Sequence, residues 1–325
     1  MLSCIEICAG AGGQALGLAM AGFHHEILVE YEEDYCKILK LNRPEWPVEC
    51  KDVVEFSGKE YSDIDLFAGG VPCPPFSKAG KQLGKDDDRD LFPEALRLIK
   101  EINPRAIMLE NVRGFLDASF EAYRIHILDS IQDMGYNVTM RLLNSSDYGV
   151  PQLRPRVVIV GIRNDQPGVF TFPEPLEVDI PTVGETLYDL MKANGWNGAK
   201  KWANSANRIA PTIVGGSKKH GGPDLGPVRA RKAWALLGVD GSGVANMAPE
   251  KDFVGMPRLT SRMIARVQGF PDTWTFGDKK TKACRMIGNA FPPPVAYAVG
   301  QKIKECLNYG CANNNCEKCI SSRTA

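Results

Sequence analysis

The sequence predicts an α/β protein with a doubly wound, mostly parallel sheet and a second, smaller irregular domain. Short apolar runs alternate with helix-length segments through the first half of the 325-residue chain. This alternation is typical of repeated β–α units, which build a sheet with helices on both faces. A glycine-rich turn joins the first apolar run to the first helical segment. Beyond residue 164, Pro and Gly become frequent and the periodicity weakens, which favours a separate, irregular second part.

The elements of the first half follow in order along the chain. Apolar runs predict strands at 2–8, 26–29, 64–68 and 106–109, and a further short strand is expected just before Asp52. Helical periodicity predicts helices at 14–21, 31–41, 91–102 and 120–134. No helix separates the apolar runs at 137–143 and 157–162, so this last pair can form an antiparallel edge of the sheet.

The remaining chain completes the predicted domain organisation. We expect a first domain over residues 1-164, completed by a C-terminal helix at 282-309, and a second domain over 165-281. Helical patterns return at 261–268 and 294–307, and residues 310-325 form a polar tail.

Composition argues against a membrane-spanning chain and favours a polyanionic partner. No apolar run approaches the ~20 residues that span a bilayer, and no basic-then-apolar leader opens the chain. Ten scattered cysteines suit free thiols in the cytoplasm. The formal net charge is zero, but eight basic residues stand against one acid between Lys200 and Lys232. This segment predicts a surface for a polyanion such as nucleic acid.

The first glycine-rich turn predicts a site for an adenosine-containing ligand. Gly10, Gly12 and Gly13 let the backbone approach a ligand at the start of a helix. Glu30 ends the second predicted strand, where its carboxylate can accept both ribose hydroxyls, and Tyr31 could stack on an adenine. Asp52 could accept from the exocyclic amine of that adenine. The glycine spacing differs from G-x-G-x-x-G, which disfavours a dinucleotide oxidoreductase.

A stiff loop with a single thiol follows the strand predicted at 64–68. Cys73 lies between Pro72 and Pro74, which restrict the backbone on both sides. Open α/β folds place their ligands at this carboxyl edge of the sheet. The placement favours Cys73 as a nucleophile.

Six motifs in order resemble the DNA (cytosine-5)-methyltransferases, of the prokaryotic restriction-modification type. The match covers roughly 2–163 and 258–307. The motifs are the turn from Ile7 to Gly13, Pro72-Cys73 with Phe76-Ser77, Glu110-Asn111-Val112, Gln152-Leu-Arg154-Pro-Arg156, the run from Arg258 to Pro271, and Gly288-Asn289-Ala290 with Pro292-Pro293.

The resemblance implies a Rossmann-like methyltransferase that uses S-adenosyl-L-methionine. It implies that Cys73 adds to carbon 6 of a cytosine, that Glu110 acts at ring nitrogen 3, and that Arg156 contacts the base. Arg154 or Arg156 would be the cation that favours the thiolate. No metal is expected to take part. The residues expected to bind the cofactor are Cys8, Ala9, Gly10, Gly12, Gly13, Glu30, Tyr31, Asp52, Val53, Pro72, Leu91, Asn289 and Ala290.

The resemblance also implies a duplex DNA partner from which the target base is flipped. The first domain would be the catalytic and cofactor-binding domain and the second the target-recognition domain. The loop 77–90 reads as a lid over DNA, and the basic segment as a reader of phosphates and guanine. The residues expected to bind DNA are Ser77, Lys81, Gln82, Arg89, Lys218, Lys219, Arg229 and Arg231. We expect a cytoplasmic monomer, with a cognate restriction endonuclease acting on the same site.

Three departures from the family pattern stand out. Cys8 replaces the usual Phe, Pro74 replaces the usual Gln after the nucleophile, and Ala79 replaces a small hydroxyl residue. Lys81 and Gln82 are therefore candidates to fill the space of a flipped base.

Other functions stay open on the sequence alone. A tRNA cytosine-5 methyltransferase is disfavoured by the roughly ninety-residue recognition segment, and a non-catalytic DNA-binding homologue by the persistence of Cys73, Glu110 and Arg156. Cys306, Cys311, Cys316 and Cys319 could form a zinc site, although Cys306 is expected to pack inward from the last helix.

Overall fold

A seven-stranded sheet forms the centre of the fold in the computed structural model. The described residues are 1–72, 90–215 and 222–312, with side chains described up to residue 309. The strands are β1 (Leu2–Ile7), β2 (Phe23–Glu30), β3 (Val48–Cys50), β4 (Leu66–Gly70), β5 (Ala106–Val112), β6 (Tyr136–Asn144) and β8 (Pro155–Arg163). Two short strands, β7 (Gln152–Leu153) and β9 (Ala210–Pro211), pair separately.

The strand order is β3-β2-β1-β4-β5-β8-β6. Strands β1 to β5 pair in parallel, whereas β8 is antiparallel to both of its neighbours, β5 and β6. The predicted doubly wound, mostly parallel fold is confirmed. The antiparallel pair is not confined to an edge as predicted, because β8 lies inside the sheet. Its residues from Arg156 to Ile162 are all buried, as a strand covered on both faces requires.

Helices cover both faces of the sheet and continue into the second half of the chain. They are α1 (Gly13–Ala21), α2 (Glu33–Asn42), α3 (Phe92–Ile102), α4 (Glu121–Asp133), α5 (Val183–Lys192), α6 (Ala199–Ser205), α7 (Val228–Ala235), α8 (Ser261–Val267), α9 (Lys280–Asn289) and α10 (Pro293–Ala312). Helices α5, α6 and α9 were not among the predicted elements.

The segment 282-309, predicted as one helix, contains the end of α9 and most of α10. Pro292 and Pro293 explain the break, because proline lacks the N–H that a continuing helix would need and is well placed at a helix start. Cys306 is buried on α10, as predicted.

Helices α1 and α10 pack closely against each other. A Cβ atom added at Gly17 would lie 2.3 Å from the Pro293 carbonyl oxygen and 2.5 Å from the Ala296 Cβ. Only glycine permits this approach. Leu18 of α1 shares a core with Val295, Val299 and strand residues of the sheet. Helix α10 therefore packs against α1 and the sheet, and its place as the completion of a first domain stays a prediction.

The region 165-281 forms a core around three tryptophans. Trp196, Trp202 and Trp234 are buried together with residues of α5 and α8. The same cluster continues through Trp274, whose ring lies 5.9 Å from that of Trp46 beside the sheet. Burial is therefore continuous across the predicted domain boundary at residue 164, and the division into two domains stays a prediction.

Candidate active site at the carboxyl edge of the sheet

A cavity of about 760 Å³ opens where strands β1 to β5 end. The strand order reverses between β1 and β4, and such a switch point is where open α/β sheets bind ligands. The cavity is lined by twelve of the thirteen predicted cofactor residues: Cys8, Ala9, Gly10, Gly13, Glu30, Tyr31, Asp52, Val53, Pro72, Leu91, Asn289 and Ala290.

Backbone groups hold Glu30 at the end of β2. Its Oε2 accepts from the Gly10 N–H at 2.8 Å, and its Oε1 accepts from the Glu32 N–H at 2.8 Å. Burial raises the pKa of this carboxyl, while the two N–H donors oppose that shift. A carboxylate has about four acceptor positions, so Glu30 keeps acceptor capacity for hydroxyl groups in the cavity.

The glycine-rich turn serves packing as much as ligand approach. Gly12 is the N-cap residue of α1, at φ 84°, and a Cβ there would lie 2.8 Å from Leu39 and 2.9 Å from Trp274. It is not among the residues that line the cavity, and its predicted cofactor contact stays a prediction. Gly13 lines the cavity, but a Cβ there would meet the Phe291 carbonyl oxygen at 2.2 Å.

Cys8 follows β1 in the left-handed region, at φ 52°. A non-glycine residue at such an angle is uncommon and costs on the order of 1 kcal/mol or more. Burial raises the pKa of its thiol, so Cys8 lines the cavity as a neutral group. The departure from Phe noted in the sequence thus falls in the wall of the site.

Glu110 and Arg156 form a buried ion pair in the sheet. Glu110 lies near the end of β5 and lines the cavity, and its Oε1 is 2.7 Å from the Nε of Arg156 on β8. The two residues are 8% and 9% exposed. Burial raises the pKa of Glu110, and the neighbouring Arg156 only partly offsets that shift. A carboxyl with a raised pKa keeps its proton to a higher pH than usual, and in that form it can donate to a ring nitrogen.

Asn111 anchors the chain that leads to the thiol loop. Its Nδ2 donates to the Val71 carbonyl at 2.9 Å, and both residues are buried. Pro72 follows and lines the cavity. Cys73 lies outside the described residues, so its predicted role as nucleophile stays a prediction. The anchored chain nevertheless starts that loop beside Glu110.

Arg154 contacts backbone carbonyls rather than the cavity. It is fully buried and donates to the carbonyls of Ile213 at 2.8 Å, Gly288 at 2.7 Å and Ala290 at 3.0 Å. It does not line the cavity, unlike Glu110. The structure therefore shows Arg154 holding three backbone carbonyls in place, and its predicted catalytic role stays a prediction.

The side-chain amides of Gln152 and Gln268 extend these buried contacts of Arg154, and we call the whole set the joint. Gln152 donates to the Gln268 side-chain oxygen at 2.7 Å and accepts from the Ile213 N–H at 2.8 Å. Gln268 in turn donates to the Ala290 carbonyl at 2.6 Å. The joint therefore holds Ile213, the end of α9 at Gly288 and the cavity wall at Ala290 in one arrangement.

Several lining residues were missed by sequence reasoning. Tyr35 on α2 and Arg285 on α9 lie side by side in the cavity wall, where the Arg285 Nε donates to the Tyr35 hydroxyl at 3.3 Å. Glu6 on β1 and Gln14 on α1 also line it. Glu6 and Gln14 adjoin or lie within the glycine-rich motif, so that motif could have drawn attention to them. Tyr35 and Arg285 carry no such signal.

The predicted DNA-binding residues are only partly described. Arg229 is exposed and Arg231 half-buried on helix α7. Ser77, Lys81, Gln82, Arg89, Lys218 and Lys219 lie outside the described residues. Within the described ranges, none of the helices has the length and apolar content that a membrane crossing requires.

Comparison with known proteins identifies the family. The model of the C-5 cytosine-specific DNA methylases matches residues 2–305. The chain is 55% identical to the Type II methyltransferase M.NgoMIV of Neisseria gonorrhoeae, over 93% of this chain and 97% of that protein. It is also 55% identical to the Type II methyltransferase M.NaeI of Lentzea aerocolonigenes, over 94% of this chain and 76% of that protein.

Solved structures agree on the fold. A DNA modification methyltransferase encoded within a prophage in Escherichia coli has a TM-score of 0.69 at 24% identity, covering 95% of this chain and all of that one. A variant of Spodoptera frugiperda DNMT2 has a TM-score of 0.66 at 17% identity, covering 94% of this chain and all of that one.

The chain belongs to the family of C-5 cytosine-specific DNA methylases. The resemblance predicted from the six motifs is confirmed. So is the enzyme class, a DNA (cytosine-5)-methyltransferase that transfers a methyl group to cytosine.

Proposed function

We propose that this enzyme uses S-adenosyl-L-methionine to methylate carbon 5 of a cytosine flipped out of a specific duplex DNA sequence. The reaction would pass through a covalent adduct with Cys73. One observation carries the proposal: a single cavity joins the carboxylate site at Glu30 to the buried pair of Glu110 and Arg156. Cofactor and base would therefore meet between these two ends.

The cavity suits the proposed cofactor in size and in polar groups. Its volume of about 760 Å³ falls within the range of ~300–1,000 Å³ of small-molecule sites. Glu30 would accept from the ribose hydroxyls, with Tyr31, Asp52 and Val53 around the adenine. When bound, the cofactor supplies a methyl group on a positively charged sulfur, which is an electrophile.

The residues of the chain would make the cytosine nucleophilic. Carbon 5 of cytosine is too weak a nucleophile to attack such a methyl group unaided. The Cys73 thiolate adds to carbon 6, forming a carbon–sulfur bond and pushing an electron pair towards ring nitrogen 3. Glu110 donates a proton at that nitrogen, and Arg156 holds the Glu110 carboxyl in place. Carbon 5 then carries the electron density needed to form its bond to the methyl group.

The same thiol leaves at the end of the reaction. Once carbon 5 carries the methyl group, loss of its proton to a base returns an electron pair to the ring. The bond between Cys73 and carbon 6 breaks, and the thiolate is regenerated. The product is 5-methylcytosine.

DNA contacts are proposed for the basic residues of the second half. Arg229 is exposed on α7, and arginine both contacts phosphates and reads guanine in the major groove. Lys218, Lys219, Ser77, Lys81, Gln82 and Arg89 complete the proposed set. We further propose a cytoplasmic monomer that shares its recognition sequence with a restriction endonuclease, as the Type II relatives suggest.

Labelled methyl transfer tests the proposal. Tritiated S-adenosyl-L-methionine is incubated with mixed-sequence duplex DNA, and we expect acid-precipitable label with the natural chain and none with Cys73→Ala. Cys50→Ala, at an exposed free cysteine, is the matched control and should keep activity. A fully active Cys73→Ala variant would overturn the nucleophile assignment, and preferential labelling of tRNA in competition would overturn the DNA substrate. Bisulfite sequencing of DNA from expressing cells then gives the recognition sequence.

A further inference from the structure

Two cysteines from different elements meet behind the Glu30 end of the cavity. Cys36 lies in the first turn of α2 and Cys50 ends β3, and both are free thiols. Their sulfur atoms are 2.6 Å apart. A disulfide bond is about 2.05 Å long, so an approach of about 0.6 Å would complete one. Neither cysteine lines the cavity or takes part in the methyl-transfer steps described above.

Main-chain contacts bring the two thiols together. Cys50 is the β3 partner of Glu30 in the pairing of β2 with β3. The Cys36 thiol donates to the Glu30 carbonyl at 3.2 Å, and the Cys36 backbone N–H donates to the Glu32 carbonyl at 3.0 Å. The end of β2 is thus fixed to β3 on one side and to the start of α2 on the other. The short distance between the sulfur atoms follows from these contacts.

The two thiols differ in exposure. Cys50 is exposed, whereas Cys36 is buried. Burial raises the pKa of the Cys36 thiol, and the adjacent Cys50 sulfur raises it further. Thiol–disulfide exchange begins at an accessible thiol in its thiolate form. Cys50 is therefore placed to react with a small molecule from solvent, and Cys36 to complete the exchange from inside.

We propose that Cys36 and Cys50 form a reversible disulfide by exchange with a small-molecule disulfide such as glutathione disulfide. The Cys50 thiolate attacks one sulfur of that disulfide, which breaks its S–S bond and releases one thiolate. Cys36 then loses its proton to solvent and attacks the Cys50 sulfur, which releases the second thiolate. The two cysteines are oxidised and the small disulfide is reduced to two thiols. This chemistry does not depend on the proposed function.

The bond fastens two segments of the cavity wall in the arrangement that they already have. Helix α2 carries Tyr35, and the chain after β3 carries Asp52, and both residues line the cavity. The Glu30 carbonyl loses the thiol donor on oxidation but keeps the Lys51 N–H at 3.0 Å. Oxidation therefore stabilises the fold and leaves the affinity for cofactor unchanged, and this last clause rests on the proposed function.

Peptide mapping tests the disulfide itself. The ligand-free chain is incubated with glutathione disulfide, its remaining thiols are blocked with iodoacetamide, and it is cleaved after glutamates, which separates Cys36 from Cys8. We expect a peptide pair linked through Cys36 and Cys50 that dithiothreitol separates. Cys284→Ala, at a buried cysteine of α9, is the control and should keep the link. Cys36→Ser should stop at glutathione attached to Cys50. Glutathione that stays on Cys50 of the natural chain, or an unmodified Cys50, would overturn the proposal.

Melting and calorimetry test the fastening. Closing a loop of about 15 residues should raise the melting temperature of the natural chain by about 5 °C, and glutathione disulfide should not raise that of Cys50→Ala. Oxidised and reduced chains should bind S-adenosyl-L-homocysteine with affinities within threefold of each other. A tenfold loss on oxidation, with the linked peptides present, would overturn the fastening. A reduced chain that does not bind this ligand would contradict the proposed function, whereas the linked peptides would still support the disulfide.

Discussion

Arg154 and Arg156 stand two positions apart but belong to regions of different character. Arg154 holds a buried joint, in which its guanidinium donates to the carbonyls of Ile213, Gly288 and Ala290. Arg156 instead lies beside Glu110, 2.7 Å away, where that carboxyl meets the cavity. One motif thus supplies an arginine that holds the joint and an arginine of the pair that we propose to be reactive. The difference predicts that damage to the joint lowers stability, whereas damage to the pair lowers the reaction rate.

The largest effect is expected at the reactive pair. Glu110→Gln keeps an oxygen that can accept from Arg156 but cannot deliver a proton to the base. We expect methyl transfer under single-turnover conditions to slow about 10²–10⁴-fold, the usual contribution of an acid–base group. Ligand-free stability should change less than in the Arg154 variant described next. A rate within threefold of the natural chain would remove Glu110 from the proposed mechanism.

The joint should respond in the opposite way. Arg154→Leu leaves the buried carbonyls of Ile213 and Gly288 without this donor, while the Ala290 carbonyl keeps the Gln268 amide. We expect a loss of about 3–5 kcal/mol in the free energy of unfolding. Denaturant titration measures it. Arg141→Leu is the matched control, because that arginine is half-exposed and its nearest carboxylate is 3.8 Å away; its loss should stay below about 1 kcal/mol. Equal losses of stability in both variants would contradict the proposal that Arg154 stabilises the fold through the joint.

A double-mutant cycle sharpens the boundary between the regions. Gln152 and Gln268 are in direct contact at 2.7 Å, so Gln152→Leu and Gln268→Leu should show a coupling of about 0.5–3 kcal/mol in unfolding. Gln152→Leu combined with Glu110→Gln should be additive to within about 0.5 kcal/mol. Strong coupling in the second cycle would mean that joint and pair form one network.

The smallest effect is a pH dependence confined to the pair. The pKa of Glu110 in the folded chain is raised above its usual value of 4.5. The folded state therefore binds this proton more tightly, and the stability that it contributes is present below pH ~4.5 and lost as pH rises through the folded pKa. As pH rises through this range, the melting temperature of the natural chain should fall relative to that of Glu110→Gln. The same comparison with Arg141→Leu should be flat.

Much of the fold was readable from periodicity. The alternation of apolar runs with helical segments predicted β1 to β5 and their helices, because each element buries one face against its neighbour. The placement of β8 between β5 and β6 was not readable. A run buried on both faces has no alternation that tells an inner strand from an edge strand.

The sequence motifs predicted which residues belong to the site, but not which distant segments those residues contact. Glu30, Asp52 and Glu110 end strands, so topology brings them to one edge. Gly12 was assigned to the ligand and Arg154 to the chemistry. A Cβ at Gly12 would meet Leu39 and Trp274, however, and Arg154 contacts carbonyls from distant segments. Such contacts depend on how the chain returns from more than fifty residues away. A motif shows that a residue matters without showing whether packing or chemistry requires it.

Trapping the covalent intermediate tests the central claim most directly. Mixed-sequence duplex DNA containing 5-fluorocytosine is incubated with the chain and S-adenosyl-L-methionine. Carbon 5 then carries fluorine in place of the proton that a base would remove, so the thiol cannot be released. Peptide mass spectrometry should find the nucleotide attached to Cys73, with far less adduct in Glu110→Gln at equal times. An active enzyme that forms no adduct, or one attached to another residue, would contradict the account.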